Sequence, residues 1–292
     1  MTFTHDIADY PEGIVLSVDK PYRSTSADLI RKLKWAAIRH FAKKNLKVGH
    51  AGTLDPLATG VLLVCIGPAC KRAQQLQDRD KEYIARIRFG ATTPSYDLEK
   101  EVDRRFPYEH ITREAVEAAL PSLLGEQEQV APLFSAKSVD GVRAYELARK
   151  LYRSGRQAEL DAAALDILHR SSIVISELEM LDFVPAGTGV SQSMATLGHV
   201  RGRGPLPQTP VPAGQSTASS RIHVADTSAL GLPEAVIRIA CSKGTYIRAF
   251  ARDLGEALGS GAHLSGLIRS RSGIYRVEDA LSVEQALSLF SW

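Results

Sequence analysis

The chain has 292 residues, of which 44% are hydrophobic and 24% are charged, and its formal net charge is +3. These proportions are typical of folded proteins and exclude a chain that is disordered throughout, while the length allows one large or two modest domains. The small net charge indicates no class of partner by itself. Its distribution is uneven, because seven lysines and arginines and no acidic residue lie between Leu29 and Gly49. That basic block fits either a polyanionic partner or a solvent-exposed helix face.

The three cysteines are an odd number without the spacing of a disulfide framework, which predicts free thiols in a reducing compartment. Cys65 and Cys70 lack the paired ligands that a zinc site needs. The first residues contain neither a basic leader nor an apolar signal segment, and no apolar run approaches the length of a membrane span. We therefore expect a soluble, cytoplasmic protein.

The first predicted elements are a strand at residues 13–18 and an amphipathic helix after it. Ser24, Thr25 and Ser26 offer N-caps for this helix. Its apolar positions, such as Leu29 and Leu33, share one face, and the bases of the basic block share the other.

A glycine-rich loop at residues 47–60 is the stretch around which the chain is organised. Its three glycines predict sharp turns or a close approach of the backbone, and Pro56 fixes the chain direction after Asp55. An apolar run at residues 61–66 follows, as expected for a strand buried on both faces. A turn without any chemical role is the simpler interpretation of this loop, and the signature of a phosphate-binding loop is absent.

The next predicted strand covers residues 81–89, in which alternate residues, Tyr83 among them, share an apolar face. On this pattern alone, Tyr83 is an ordinary core tyrosine. Asp97 follows a threonine-rich turn, and a surface turn is a competing interpretation of that segment.

The second half of the chain predicts a helix capped by Thr112, then one or two strands at residues 172–184. Residues 185–221 are rich in proline, glycine, serine and threonine and contain no aromatic residue, so they cannot bury enough apolar area to offset their ordering entropy. We expect a disordered insertion there, whose removal leaves function largely intact.

A strand at residues 235–241 leads into a predicted helix that starts at Thr245 and ends at Gly259. The turn between them is a plausible anion site, because free N–H groups and the helix dipole point there. A last short helix is predicted at residues 283–290.

The string Gly-His-Ala-Gly-Thr-Leu-Asp-Pro-Leu-Ala-Thr-Gly at residues 49–60 resembles the catalytic loop of the bacterial TruB family of tRNA pseudouridine synthases. Other motifs of that family are similar to the stretches at residues 19–26, 81–83, 134–149, 242–248 and 261–269. Two positions depart from the family pattern, because Arg23 and Lys100 stand where glycine is usual.

The resemblance implies roles for nine residues of this chain. Asp55 would be the catalytic nucleophile, Tyr83 would stack on the target base, and Arg248 would pair with the catalytic carboxylate. Because of the change at Lys100, Asp97 is expected to act behind the residues that touch the substrate. The residues expected to bind or position the substrate are His50, Tyr83, Tyr246, Leu267, Asp97, Lys20 and Arg269.

The implied fold is α+β, the pseudouridine synthase fold, with a central mixed and mostly antiparallel sheet flanked by helices. A thumb-like insertion would lie at residues 134–149. We expect a single catalytic domain over residues 1–292, without the C-terminal RNA-binding PUA domain of longer relatives.

The implied activity is isomerisation of uridine to pseudouridine at position 55, in the T-loop of tRNA. No cofactor is expected, since the reaction involves neither a redox change nor a transferred group. The expected partner is the T-arm stem-loop of tRNA, bound by a monomer, and no membrane is involved. Two alternatives stay open: a non-catalytic RNA-binding or tRNA-folding protein on the same scaffold, and a pseudouridine synthase for another structured RNA.

Overall fold

The computed structural model describes residues 2–132, 134, 138–139, 142–143, 170–188 and 222–290. The chain divides into two compact units: the first comprises Met1–Ile84, Ser193–Ile222 and Leu267–Trp292, and the second comprises Ala85–Gln192 and His223–Gly266. Most of the predicted thumb and residues 189–221 of the predicted insertion lie outside the described residues. Both expectations, like that of a single catalytic domain, stay predictions.

Five α-helices and thirteen strands lie within the described residues. The helices are α1 (Ser26–His40), α2 (Ala73–Gln77), α3 (Arg113–Ala119), α4 (Ile247–Ala257) and α5 (Val283–Ser288). The strands are β1 (Ile14–Lys20), β2 (Val48–Ala51), β3 (Ala58–Ile66), β4 (Lys81–Phe89), β5 (Ala91–Thr92), β6 (Arg104–Arg105), β7 (Gly125–Val130), β8 (Ser138–Val139), β9 (Val142–Arg143), β10 (Arg170–Val184), β11 (Glu234–Cys241), β12 (Ala262–Ser272) and β13 (Tyr275–Arg276). None of these helices combines the length and the hydropathy needed to cross a membrane.

Nine strands form a mixed sheet in the order β1, β3, β12, β4, β11, β10, β7, with β2 also on β3 and β13 also on β12. β12 runs parallel to β3. The pairs β1–β3, β2–β3, β10–β11, β7–β10 and β12–β13 are antiparallel. The prediction of an α+β fold with a central mixed and mostly antiparallel sheet is confirmed.

β3 forms the centre of the first unit's core. Its residues from Val61 to Ile66 have no exposed surface, because the run is apolar on both faces and both β1 and β2 pair with it. α1 contacts β2 and buries Leu29 and Leu33, as its apolar spacing predicts. The apolar run after the glycine-rich loop is therefore the strand from which that loop projects.

Both ends of α1 carry recognisable caps. At the start, Thr25 Oγ1 accepts from the Asp28 N–H at 3.0 Å and the Asp28 carboxylate accepts from the Thr25 N–H at 3.3 Å, a capping box. At the end, Lys43 N–H donates to Ile38 O at 3.2 Å. This Schellman-type turn needs a left-handed residue, and Ala42 supplies it with φ +48°. A residue with a Cβ thus occupies a conformation that favours glycine.

In the second unit, β10 is one long strand with register shifts at 175/177 and 180/182, where sequence allowed one strand or two. α3 begins after its predicted cap, Thr112, whose Oγ1 accepts from the Ala115 N–H. It continues as a 3-10 segment at Leu120–Leu123, because Pro121 interrupts the α-helical pattern. α4 begins at Ile247, two residues later than predicted.

Candidate active site

Asp55 lies in the loop between β2 and β3, and its side chain is half-buried. Leu54 and Leu57 are buried and anchor the loop on either side of the carboxylate. Ser26, the first residue of α1, also holds this loop, because its Oγ accepts from Leu54 N–H at 3.0 Å and donates to Leu54 O at 3.1 Å. Sequence analysis singled out Ser26 only as a helix cap, since a contact to a distant loop leaves no local pattern.

Arg269 on β12 fastens the same loop from within the core. Its side chain is 1% exposed. Nε donates to Val61 O at 2.7 Å, Nη2 to Gly52 O at 3.0 Å and Nη1 to Thr53 O at 3.4 Å. The planar guanidinium thus satisfies three backbone carbonyls that flank the Asp55 loop, a geometry that a lysine ammonium cannot reproduce.

Lys20, at the end of β1, is fully buried and holds the far side of the loop. Its Nζ donates to Ser24 O at 2.6 Å, to Pro21 O at 2.9 Å and to Pro56 O at 3.3 Å. Burial lowers the pKa of Lys20 to about 7, and the nearby carboxylates of Asp55 and Asp19 partly oppose that shift. Lys20 therefore connects the backbone beside Asp55 to the turn at residues 21–24, which follows β1.

His50 on β2 is half-buried. Its pKa is lowered by burial and, to a smaller extent, by the positive charge of Arg269. A lowered pKa keeps the imidazole neutral at pH 7. His50 can therefore offer a hydrogen-bond donor and acceptor without adding charge to the site.

β12 approaches β3 closely at Gly60. A Cβ at that position would lie 2.3 Å from Arg269 O, and Gly60 has φ +102°, so only glycine fits there. The parallel register places Leu267 opposite Ala58 and Arg269 opposite Gly60. Leu267 is half-buried, and Tyr83 on β4 is 9% exposed. This burial of Tyr83 fits both a core tyrosine and a stacking platform.

Two of the predicted residues meet in the second unit. Arg248 on α4 is 4% exposed and Asp97 is 5% exposed, with Arg248 Nε 3.9 Å from Asp97 Oδ2. Arg248 also donates to Ser95 O at 3.1 Å and to Phe134 O at 2.9 Å. The Ser95 hydroxyl in turn donates to Asp97 Oδ1 at 2.6 Å. Asp97 and Arg248 are therefore joined both directly and through Ser95.

Tyr246, just before α4, is fixed through its backbone. Its N–H donates to Gln129 Oε1 at 2.8 Å, and Gln129 Nε2 donates to Tyr246 O at 3.2 Å. Gln129 is 2% exposed and was not singled out from the sequence. One amide of the predicted anion site is therefore already engaged by a buried side chain.

Arg23 departs from the glycine that is usual in the opening motif. Its φ of +56° lies in the left-handed region, so the turn keeps a shape that favours glycine although the residue is arginine. The side chain donates from Nη2 to Ile222 O at 2.9 Å. The substitution thus adds a contact to residue 222 within the same unit.

The structure therefore brings the predicted residues together in two groups. Lys20, His50, Asp55 and Arg269 surround one loop of the first unit, and Asp97 and Arg248 form a buried pair in the second. Most bases of the predicted thumb lie outside the described residues. Within the part of the chain that is described, no group of three or more His, Cys, Asp or Glu side chains is placed to hold a metal ion.

Comparisons with known proteins identify the family of the chain. Residues 39–183 match the family described as "TruB family pseudouridylate synthase (N terminal domain)". A protein of Phocaeicola vulgatus named tRNA pseudouridine synthase B is 46% identical over 276 residues, which cover 94% of this chain and 92% of that protein. A protein of the same name from Thermus thermophilus is 39% identical over 271 residues, covering 91% of this chain and 75% of the relative.

Among solved structures, the crystal structure of a Cbf5–Nop10–Gar1 complex contains a chain that is similar to this one with a TM-score of 0.56 and 21% sequence identity. The match covers 97% of this chain and 56% of the solved chain, and at this identity it shows the fold. The family match and the relatives of high identity and coverage establish that the chain belongs to the TruB family of pseudouridylate synthases.

Proposed function

We propose that this chain isomerises uridine to pseudouridine at position 55 in the T-loop of tRNA, with Asp55 as the nucleophile. The observation that carries the proposal is that buried polar side chains hold the backbone on both sides of one half-buried carboxylate. Lys20, Ser26 and Arg269 all bond to the backbone within three residues of Asp55. The relatives' name, tRNA pseudouridine synthase B, supports tRNA as the substrate.

The reaction breaks the N1–C1′ bond of uridine, turns the base while it stays bound, and forms a C5–C1′ bond. The proton leaves C5 and N1 gains one, so atoms and electrons balance without an oxidant or co-reactant. A carboxylate nucleophile must be ionised and shielded from water. Lys20 Nζ, which donates to Pro56 O, lies next to this carboxylate in a partly buried loop.

The other residues divide into substrate contacts and positioning groups. The target nucleotide must leave its stack, which costs about a few kcal/mol, and a flat aromatic face offsets part of that cost. Tyr83 provides this face in the proposal, and His50, Tyr246 and Leu267 contact the base or the sugar-phosphate backbone of the target nucleotide. Lys20, Arg269 and Asp97 are too buried to form an open surface, so they act through the groups that they hold. The pairing of Arg248 with the nucleophile is also a prediction.

The first test maps pseudouridine to the nucleotide on an unmodified tRNA transcript, with wild type and Asp55→Asn side by side. We expect modification at the T-loop uridine by the wild type and none by the variant, since an amide cannot act as the nucleophile. If both proteins bind tRNA and neither modifies it, the proposal fails and a non-catalytic RNA-binding protein becomes the better hypothesis.

A second comparison separates tRNA from other structured RNAs. Rates on a T-arm stem-loop should match those on whole tRNA within about tenfold and exceed those on unrelated stem-loops. Faster modification of another stem-loop would identify a different substrate. We also propose that the protein acts in the cytoplasm and that it is a monomer. Sedimentation of the free protein and of its tRNA complex would test the monomeric state.

A further inference from the structure

One side of α1 presents an aromatic ring and positive charge to solvent. Trp35 is 63% exposed, while Leu29, Leu33 and Ala37 on the opposite side of the same helix are buried. The guanidinium of Arg39 lies over the Trp35 ring, 4.6 Å from its centroid. This cation–π contact holds a large aromatic side chain in place at the surface.

The bases around Trp35 differ in whether a carboxylate of the described residues lies beside them. Arg31 pairs with Asp28 at 2.8 Å, and Lys32 lies near Glu284. By contrast, Lys34, Arg39, Lys43 and Lys44 are exposed, and none of them forms an ion pair within the described part of the chain. We call Lys34, Trp35, Arg39, Lys43 and Lys44 the α1 face.

The α1 face is linked directly to the Asp55 loop. α1 begins at Ser26, which bonds to Leu54 beside Asp55. With a rise of 1.5 Å per residue, Arg39 lies about 20 Å along the helix from Ser26. Lys43 and Lys44 then lie in the exposed segment that leads back to β2 and the same loop. The α1 face thus extends well beyond the reach of a single bound nucleotide at Asp55.

We propose that the α1 face is a second RNA-contact surface, which binds backbone phosphates of the tRNA outside the modified stem-loop and stacks one base or ribose on Trp35. This inference rests on the proposed function. Lysine and arginine side chains bind phosphates without reading sequence, and an aromatic ring accepts any base by stacking. The combination of unpaired cations with one exposed ring matches single-stranded or looped RNA.

A membrane surface is the main competing partner for a basic helix with an exposed tryptophan. An interfacial helix inserts its apolar face between lipids. In α1 that face is occupied by the protein core, because Leu29 and Leu33 are no more than 1% exposed. Only Trp35 would be left to insert, so the structure favours RNA.

The test compares two variants of the α1 face with a control of equal charge change. The charge variant is Lys34→Gln/Arg39→Gln/Lys43→Gln, and the stacking variant is Trp35→Ala. The control is Arg79→Gln/Arg105→Gln/Arg276→Gln, three bases that are exposed on other segments. Affinities for whole unmodified tRNA and for the T-arm stem-loop are measured at several salt concentrations, together with pseudouridine formation at saturating RNA.

For the charge variant, we expect at least a tenfold loss of affinity for whole tRNA at about 0.1 M salt. The slope of log affinity against log salt should become shallower by about 2, since three phosphate contacts are removed. Trp35→Ala should lose at least about fivefold. Affinity for the stem-loop and turnover at saturating RNA should stay within about twofold of wild type.

Intrinsic fluorescence gives a direct reading of the stacked ring. Trp35 and Trp292 are the two tryptophans of the chain, so Trp292→Phe leaves Trp35 as the single reporter. Whole tRNA should quench this signal, and the isolated stem-loop should not.

Several outcomes would overturn the inference. These are wild-type affinity for tRNA in both α1 variants, an equal loss in the control, or an equal loss on the stem-loop. Binding of wild type to vesicles of anionic phospholipid that Trp35→Ala abolishes, with tRNA affinity unchanged, would assign the surface to membranes. Failure of the proposed function looks different, because wild type would then form no pseudouridine on either RNA.

Discussion

Arg269 on β12 donates from Nη2 to the carbonyl oxygen of Gly52 at 3.0 Å, although 217 positions separate the two residues in sequence. With the further bonds to Thr53 and Val61, this contact fixes the backbone from which Asp55 projects. The shape of the Asp55 loop therefore depends on β12, a strand that comes more than 200 residues later in the chain.

Arg269→Lys should lower turnover by about 10- to 100-fold, with a smaller change in KM. A compact ammonium cannot reproduce the planar fork with which the guanidinium reaches these three carbonyls, and a displacement of Asp55 by about 1 Å is enough for such a loss. Steady-state pseudouridine formation on tRNA measures both constants. The matched control is Arg271→Lys on the same strand, whose side chain is partly exposed and should tolerate the change. Equal losses in the two variants would show that the three bonds of Arg269 have no special role.

Lys20 predicts a dependence of stability on pH. Burial lowers the pKa of Lys20 to about 7 in the folded protein, whereas an unfolded lysine has a pKa of about 10.4. Between these values the unfolded chain binds more protons, so the free energy of unfolding should rise with pH, by up to about 1.4 kcal/mol per pH unit.

The measurement is urea denaturation of wild type and Lys20→Met at pH 6, 7.5 and 9. The methionine variant cannot titrate at this position, so the difference between the two proteins should move in favour of wild type as pH rises from 7. A difference that is constant across this range would contradict the assignment.

The elements that follow from local pattern were predictable from the sequence. The run at 61–66 is apolar on every residue, which is why its burial in β3 was foreseen, and Thr25 and Thr112 cap their helices as serines and threonines usually do. The motif stretches also identified Lys20 and Arg269 by resemblance. Their action through backbone carbonyls was not foreseen, because a side chain's partners across the sheet leave no periodic signal in the sequence.

Arg23 and Glu234 show the same limit in two other ways. At Arg23, the sequence departs from the usual glycine, yet the backbone still adopts φ +56°. Glu234 is the first residue of the largely apolar β11, and from sequence alone a glutamate at the end of a strand is expected at the surface. In the structure it is 4% exposed, because Arg86 and Arg88, two alternate residues of β4, both donate to its carboxylate.

Glu234→Gln should therefore destabilise the protein by about 3 kcal/mol, since it removes the negative charge to which two buried guanidinium groups donate. The matched control is Glu179→Gln, which removes an exposed partner of Arg238 and should cost less than about 1 kcal/mol. Chemical denaturation at pH 7 measures both values. Similar small losses in the two variants would mean that the Glu234 pairings contribute no more than a surface ion pair.

The same carboxylate should make the protein sensitive to acid. Burial alone would raise the pKa of Glu234, but Arg86 and Arg88 outweigh it, so the pKa lies below its usual value. The stabilisation is then complete above the unfolded pKa of about 4.3 and is lost as pH falls below it. As pH falls below about 4.3, wild type should lose stability more steeply than Glu234→Gln. Parallel acid denaturation curves for the two proteins would contradict this.

Ala42 offers a stabilising substitution. It holds φ +48° at the end of α1, where glycine avoids the steric cost of a Cβ. Ala42→Gly should raise the free energy of unfolding by about 0.5–1 kcal/mol, which the melting temperature and urea denaturation both detect. The control is Ala36→Gly, which is partly exposed in the interior of the same helix and should cost about 1 kcal/mol. Both changes delete the same methyl group. A gain of stability in Ala42→Gly and a loss in the control would therefore assign the gain to the left-handed conformation of residue 42, and a loss in both variants would refute the prediction.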